Sequence, residues 1–155
     1  MSMKLDIQVA SKSPNLPTAE DINSWVTLAT QQRRDAEVLV RLVDDAESAE
    51  LNETYRQKDG STNVLSFPFE RPEGLPADAL TEDILGDLVI CAPVVEKEAN
   101  EQGKPAYTHW AHMVVHGCLH LQGFDHIKES ERETMEALEI KLLSTININN
   151  PYDIA

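Results

Sequence analysis

Three histidines place the strongest constraint on this chain. His116, His120 and His126 follow one another at spacings of four and six residues. Neutral imidazole is the commonest side-chain ligand for zinc-like metals, and a catalytic metal typically has three protein ligands and one open position. On a helix, residues four apart lie about 40° from one another around the axis. If this segment is helical, His116 and His120 can therefore reach one ion.

The neighbouring residues favour that helix. Residues 108–121 are rich in helix formers, and Gly123 can take the left-handed conformation that ends a helix. A turn at Gly123 would bring His126 to the open side of the pair. The alternative is that these are ordinary helix and loop histidines, but their joint spacing favours a metal site.

Three other residues of the segment have different expected positions. His112 precedes His116 by four residues, so it should share the ligand face and either support a ligand or line the cleft. His109 is expected at the surface near the start of the helix. Cys118 lies about 200° around the helix from His116 and is expected in the core rather than at the metal.

Size and composition predict one domain covering residues 1–155. A hydrophobic share of 41% and a charged share of 26% are typical of globular proteins without membrane spans. The N-terminus lacks the pattern of a secretory signal, and two cysteines give no disulfide framework, so a cytoplasmic location is expected. The net charge of −14 argues against nonspecific binding to nucleic acid but leaves a local basic groove open.

The order of periodic segments predicts an α+β fold, a single-layer sheet of about four strands covered by helices, with a C-terminal helical metal-binding segment. The predicted strands are 5–9, 38–43, 63–69 and 84–91, and the predicted helices are 18–34, 45–60, 93–103, 105–121 and a last helix from 130. The first helices could be crossovers, and the last two strands suggest an antiparallel edge. Helix starts are expected at Thr18, Asp45 and Ser130, and the tail from Asn147 is expected to be mobile.

A site of three neutral imidazoles leaves the metal its full positive charge and is suited to hydrolysis. A helical His-x-x-x-His motif superficially resembles the metzincin proteases, but those have a glutamate where this chain has Gly117. Proteolysis by that mechanism is therefore disfavoured. Asp125, Asp87 and Glu82 could supply a carboxylate instead, although structural roles are favoured for Asp125 at the turn and for Asp87 in or next to a strand.

A phosphodiester substrate also requires a cation for the charge that develops on its oxygens. Arg56 is the candidate by type, because guanidinium matches phosphate with a planar fork. By itself Arg56 would be interpreted as a surface residue paired with Glu53. The motifs around it favour the functional interpretation.

Those motifs are LNETYRQKD at 51–59, TNVLSFP at 62–68, LGDLVI at 85–90 and HGCLHLQGFDH at 116–126. In this order they closely resemble the YbeY endoribonuclease (rRNA maturation factor) family. The resemblance runs from about Val38 to Tyr152 and is weakest in the N-terminal third and in the loop 71–83.

The resemblance implies a zinc-dependent, single-strand-specific endoribonuclease that acts in small-subunit rRNA maturation and ribosome quality control, with ribosome-associated factors as partners. The family's zinc ligands correspond to His116, His120 and His126, which hold one Zn²⁺ per chain, and its functional arginine corresponds to Arg56. The general acid and base stay open, as does the choice between water and the RNA 2′-hydroxyl as nucleophile. Two rival hypotheses are a metal-dependent hydrolase of a non-RNA substrate and a non-catalytic ribosome assembly factor with a structural zinc.

Overall fold

The computed structural model describes residues 3–31, 36–69, 83–124 and 128–152. The strands are β1 (Lys4–Val9), β2 (Ala36–Val43), β3 (Val64–Pro68) and β4 (Asp83–Cys91). The helices are α1 (Ala19–Ala29), α2 (Asp45–Arg56), α3 (Ala92–Glu101), α4 (Ala106–Leu121) and α5 (Glu129–Ser144). This order confirms the predicted α+β class.

The four strands form one sheet in the order β1-β2-β4-β3. β1 pairs with β2 and β2 with β4 in parallel, so α1 serves as a crossover as expected. β3 pairs antiparallel with β4 and lies at the edge, which confirms the expected antiparallel edge. Among the described strands, β3 has a neighbour on one edge alone, so side chains from the helices can approach its other edge.

The two faces of the sheet are covered differently. Leu88 and Ile90 of β4 lie in the larger core, together with apolar residues of α1, α4 and α5. Val89 and Cys91, which alternate with them along β4, lie in a smaller core with Leu51 of α2. Because side chains alternate along a strand, α4 and α2 cover opposite faces of the sheet. The central helix α4 is buried over most of its length.

One predicted helix start is confirmed, and two differ from prediction at helices without a side-chain capping hydrogen bond. Thr18 caps α1 through the predicted capping box with Asp21. The box predicted at Ser130 is wrong: α5 begins earlier, with Lys128 as its N-cap, so Ser130 lies within the first turn. The predicted cap Asp45 is already helical, and Asp44 precedes the helix.

Two helices are shorter than predicted. α1 ends at Ala29, where the Thr30 hydroxyl donates back to the Val26 carbonyl, whereas the predicted end at Arg34 lies outside the described residues. α2 ends at Arg56 rather than near Gly60, because the next residue has left-handed backbone geometry.

The C-terminal tail contacts the body of the protein. Ile148 is buried in the larger core, and Tyr152 reaches the buried part of α5. Mobility of this tail stays a prediction, and these contacts argue against it up to Tyr152. Within the described residues, no helix combines the length and the apolar character that crossing a membrane requires.

Candidate active site

His116 and His120 lie side by side on α4. Their ring centroids are 4.7 Å apart with an interplanar angle of 76°, and both residues are partly exposed. Two imidazoles at this separation can turn one nitrogen each toward a shared ion. His126, the third predicted ligand, lies outside the described residues.

The turn after α4 has the predicted geometry. Gly123 has a φ of +100°, its N–H donates to the His120 carbonyl, and the Phe124 N–H donates to the Leu119 carbonyl. This pair of hydrogen bonds is a Schellman motif, which ends a helix and redirects the chain. The predicted role of Gly123 as a helix terminator is confirmed.

A buried carboxylate from α5 supports the histidines. Oε2 of Glu139 lies 3.0 Å from Nδ1 of His116 and 2.9 Å from Nε2 of His112. Its other oxygen accepts a 2.6 Å hydrogen bond from the Tyr152 hydroxyl. Glu139 has no exposed surface, so these contacts take the place of water. His112 thus contacts the same carboxylate as His116, which agrees with the predicted role of supporting a ligand.

The charge states follow from this environment. Burial tends to raise the pKa of Glu139, but the hydrogen bonds from His112 and His116 outweigh it and hold the pKa at about 2. Burial lowers the pKa of His112 more than Glu139 raises it. The contact is therefore a hydrogen bond from a neutral imidazole to a carboxylate rather than an ion pair.

Two neighbouring predictions have different outcomes. His109 is 3% exposed and its Nε2 lies 2.8 Å from Glu98, so the expected surface position is wrong. The helix starts at Ala106, which already places His109 on the side packed against α3. Cys118 is buried in the core as predicted, and burial raises the pKa of its thiol to about 12.

A cleft of about 650 Å³ lies between α4 and the edge strand β3. The described residues that line it are both histidines, Arg56, residues of β3 and of the loop before β3, and the turn after α4. The lining residues are Arg56, Thr62, Asn63, Val64, Ser66, Pro68, His116, His120, Gly123 and Phe124. None of these is acidic, although the chain has 27 aspartates and glutamates. We call the His116 and His120 side of this cleft the histidine wall.

The opposite side, Arg56 with the loop 57–63, is called here the arginine wall. Asn52 donates 2.9 Å to the Gly60 carbonyl, and the Ser48 hydroxyl bonds both the N–H and the carbonyl of Thr62 at 3.0 Å. Both side chains are buried on α2, so they hold the loop against the helix. Arg56 itself is exposed, and within the described residues it makes no ion pair with Glu53.

Of the three alternative carboxylates, the structure describes Asp87. It lies within β4 on the face opposite Leu88, whereas Leu88 contacts α4 at Gly117. Asp87 therefore points away from the histidine wall. Asp125 and Glu82 lie outside the described residues.

A group of three side chains among the described residues could hold a metal ion. Ligand atoms of His112, His116 and Glu139 lie within 4.8 Å of one another. The histidines of the cleft also suit a metal. Because Nδ1 of His116 contacts Glu139, Nε2 is the ring nitrogen that would bind the ion. A carboxylate behind a metal-bound imidazole is a common arrangement in zinc sites.

Sequence reasoning missed Glu139. The available signal was a charge on an apolar face, because Glu139 follows Met135 by four residues and precedes Leu142 by three. A charged residue at such a position is buried only when it has partners. Its partners were not evident, since His116 precedes it by 23 residues.

Fold and cleft together define an α+β protein that combines candidate metal ligands with an arginine, an arrangement suited to phosphodiester hydrolysis. Residues 6–147 match the family model described as "Endoribonuclease YbeY". A protein of Methylococcus capsulatus named "Endoribonuclease YbeY" is 57% identical over 148 residues, which cover 96% of this chain and 94% of that protein. The chain therefore belongs to the YbeY endoribonuclease family, and it is a nuclease of the hydrolase class.

The fold also resembles a solved structure. The solution structure of TM1509 from Thermotoga maritima superposes with a TM-score of 0.58 at 24% sequence identity, covering 91% of each chain. At this identity the likeness concerns the fold alone. It agrees with the four-stranded sheet and its covering helices.

Proposed function

We propose that this chain is a zinc-dependent, single-strand-specific endoribonuclease that acts in the cytoplasm on small-subunit rRNA during ribosome maturation and quality control. His116, His120 and His126 hold one zinc ion per chain. The observation that carries the proposal is the cleft in which His116, His120 and Arg56 converge, and whose described lining residues include no acidic side chain. Family membership supports the RNA substrate and a role beside ribosome-associated factors.

Each wall of the cleft contributes a separate part of the chemistry. When bound, zinc supplies positive charge that polarises a phosphoryl oxygen and acidifies water. Glu139 holds the His116 ring with Nδ1 toward its carboxylate, so that Nε2 is the nitrogen that would bind the metal. Arg56 binds the scissile phosphate and stabilises the charge that develops on its oxygens. An exposed guanidinium suits an extended single strand that enters an open cleft.

The decisive test is cleavage of a single-stranded RNA oligomer by wild type, His116→Ala and Arg56→Ala, each with and without chelator. Arg56→Ala should lose about 10²–10³-fold in kcat with its zinc content unchanged. His116→Ala should lose both zinc and activity. Arg132→Ala is the matched control, because Arg132 is an exposed arginine on α5 outside the cleft lining.

The rival functions give different results. Full activity of both variants, or unfolding on loss of zinc, would favour an assembly factor with a structural metal. Inert behaviour toward RNA together with zinc-dependent turnover of peptides or esters would favour another hydrolase. A 2′-deoxy nucleotide at the scissile position separates the nucleophiles, because retained cleavage requires water rather than the 2′-hydroxyl.

A further inference from the structure

The buried carboxylate of Glu139 accepts hydrogen bonds from three residues, two on α4 and one in the C-terminal tail. His112 and His116 of α4 share its Oε2, and Tyr152 of the tail donates to its Oε1. A carboxylate only accepts hydrogen bonds, so each neighbouring nitrogen or hydroxyl at these distances must be a donor. The contacts therefore assign N–H to Nδ1 of His116 and to Nε2 of His112.

A second observation supports this assignment. Nδ1 of His112 is buried and has no hydrogen-bond partner among the described residues. If Nε2 of His112 carries the proton, Nδ1 is an acceptor without a donor, which costs less than a buried N–H without an acceptor.

Tyr152 fixes the orientation of the carboxylate. Its hydroxyl is 2.6 Å from Oε1 of Glu139 and 3.2 Å from Nε2 of His112, and its ring lies edge-on to the His112 ring at 5.2 Å. Without that hydrogen bond, the carboxylate of Glu139 can rotate about its last torsion, which is broad for glutamate. Such a rotation would move Oε2 away from His116.

We propose that Tyr152 and Glu139 are positioning residues: Tyr152 locks the Glu139 carboxylate, and Glu139 holds His116 as the Nδ1–H tautomer with Nε2 as its ligand atom. The C-terminal tail thereby sets the metal affinity of a cleft that it does not line. This inference rests on the proposed function, because it takes His116 as a zinc ligand.

The competing interpretation makes Glu139 a direct metal ligand together with His112 and His116. The geometry favours hydrogen bonds, because 2.9 and 3.0 Å are ordinary donor–acceptor distances. A metal bound there would also displace the proton from each imidazole that Glu139 now accepts. Metal stoichiometry distinguishes the two interpretations.

The test measures zinc affinity by competition with a chelator, and the tautomer of His116 by long-range ¹H–¹⁵N NMR of the zinc-free protein. Glu139→Gln should weaken zinc binding about 10–100-fold. Tyr152→Phe removes one hydroxyl and should weaken it about three- to tenfold, with a mixture of His116 tautomers. Tyr107→Phe is the matched control, because Tyr107 is also exposed but lies at the other end of α4.

Equal affinities and tautomers in the two Tyr→Phe variants would overturn the proposal. Two zinc equivalents in wild type and one in Glu139→Gln would also overturn it in favour of direct ligation. If Glu139→Gln does not fold, Tyr152→Phe still decides, since its side chain is partly exposed. Wild type that binds no zinc would refute the proposed function, whereas the tautomer measurement would still test the lock.

Discussion

The two walls of the cleft hold their functional side chains in opposite ways. His116 is fixed through its ring by a buried carboxylate. Arg56 has an exposed side chain, and the bonds from Ser48 and Asn52 hold only the backbone that follows it. A metal requires ligand atoms placed within a few tenths of an ångström, whereas a guanidinium must follow a flexible strand. The comparison predicts a rigid histidine wall and a tolerant arginine wall.

Acid should have the largest effect, and it should act on the histidine wall. The pKa of Glu139 is about 2 in the folded protein, below its ordinary value of 4.5, and the pKa of His112 is also lowered. Both groups therefore stabilise the fold above their unfolded pKa values and lose that contribution as pH falls. For Glu139 the loss runs from about pH 4.5 toward pH 2 and is on the order of 3 kcal/mol.

Chemical denaturation of the zinc-free protein between pH 7 and pH 3 measures this loss. Glu139→Gln should be less stable at neutral pH and should show a shallower decline through the acid range. Arg56→Ala should follow the wild-type pH profile. Parallel curves for wild type and Glu139→Gln would contradict the charge state assigned to the carboxylate.

Gly117→Val should have the next largest effect. A Cβ at Gly117 would lie 2.7 Å from Cδ2 of Leu88 and 3.3 Å from Cγ2 of Val64, and Leu88 is fully buried. Overpacking should cost about 2–3 kcal/mol, more than the roughly 0.5 kcal/mol by which valine exceeds glycine in helix propensity. Denaturation midpoints measure it. A neutral result would mean that α4 can move away from β3, and that the histidine wall is not rigid.

Asn52→Ala tests the arginine wall. The change leaves the Gly60 carbonyl without its donor and should lower the free energy of unfolding by about 1–2 kcal/mol. RNA cleavage should fall through KM rather than zinc content, because only the loop is loosened. Asn23→Ala is the control, since Asn23 is an exposed helix asparagine on α1. Loss of zinc from Asn52→Ala would show that the walls are coupled.

The smallest expected effect is a gain. Gln57, the residue that ends α2, has a left-handed backbone with a φ of 56°. Gln57→Gly should raise the free energy of unfolding by up to about 1 kcal/mol, because glycine takes this conformation without strain. Thermal unfolding measures it, with activity expected to stay near wild type. A marked loss of activity would contradict the tolerance of the arginine wall.

Local chemistry explains which predictions from sequence succeeded. The end of α4 at Gly123 and the cap at Thr18 depend on neighbouring residues, so the pattern contained them. The start of α5 could not be read from the capping pattern, because the helix begins at Glu129 after Lys128, which makes no side-chain capping hydrogen bond. Asp87 lies in a strand, the role favoured from the sequence, and strand alternation places it on the face away from the histidine wall.

The parts of the site that sequence reasoning missed depend on distant contacts. His109 is buried because Glu98 of the preceding helix meets it, a pairing that helical periodicity does not reveal. Glu139 and Tyr152 lie next to α4 because α5 packs against that helix. Spacing therefore indicates which residues face the same way, and tertiary packing decides what supports them.

The part of the cleft lining that the structure describes has no acidic residue, which has a kinetic consequence in a chain whose net charge is −14. At long range the net negative charge of the molecule repels a polyanion, whereas the Arg56 guanidinium attracts it at short range. Dissolved ions screen the long-range repulsion over about 10 Å at 0.1 M. Moderate salt should therefore raise the rate of association with RNA, and only higher salt should weaken the complex. A basic RNA-binding protein, in contrast, loses affinity with every increase in salt.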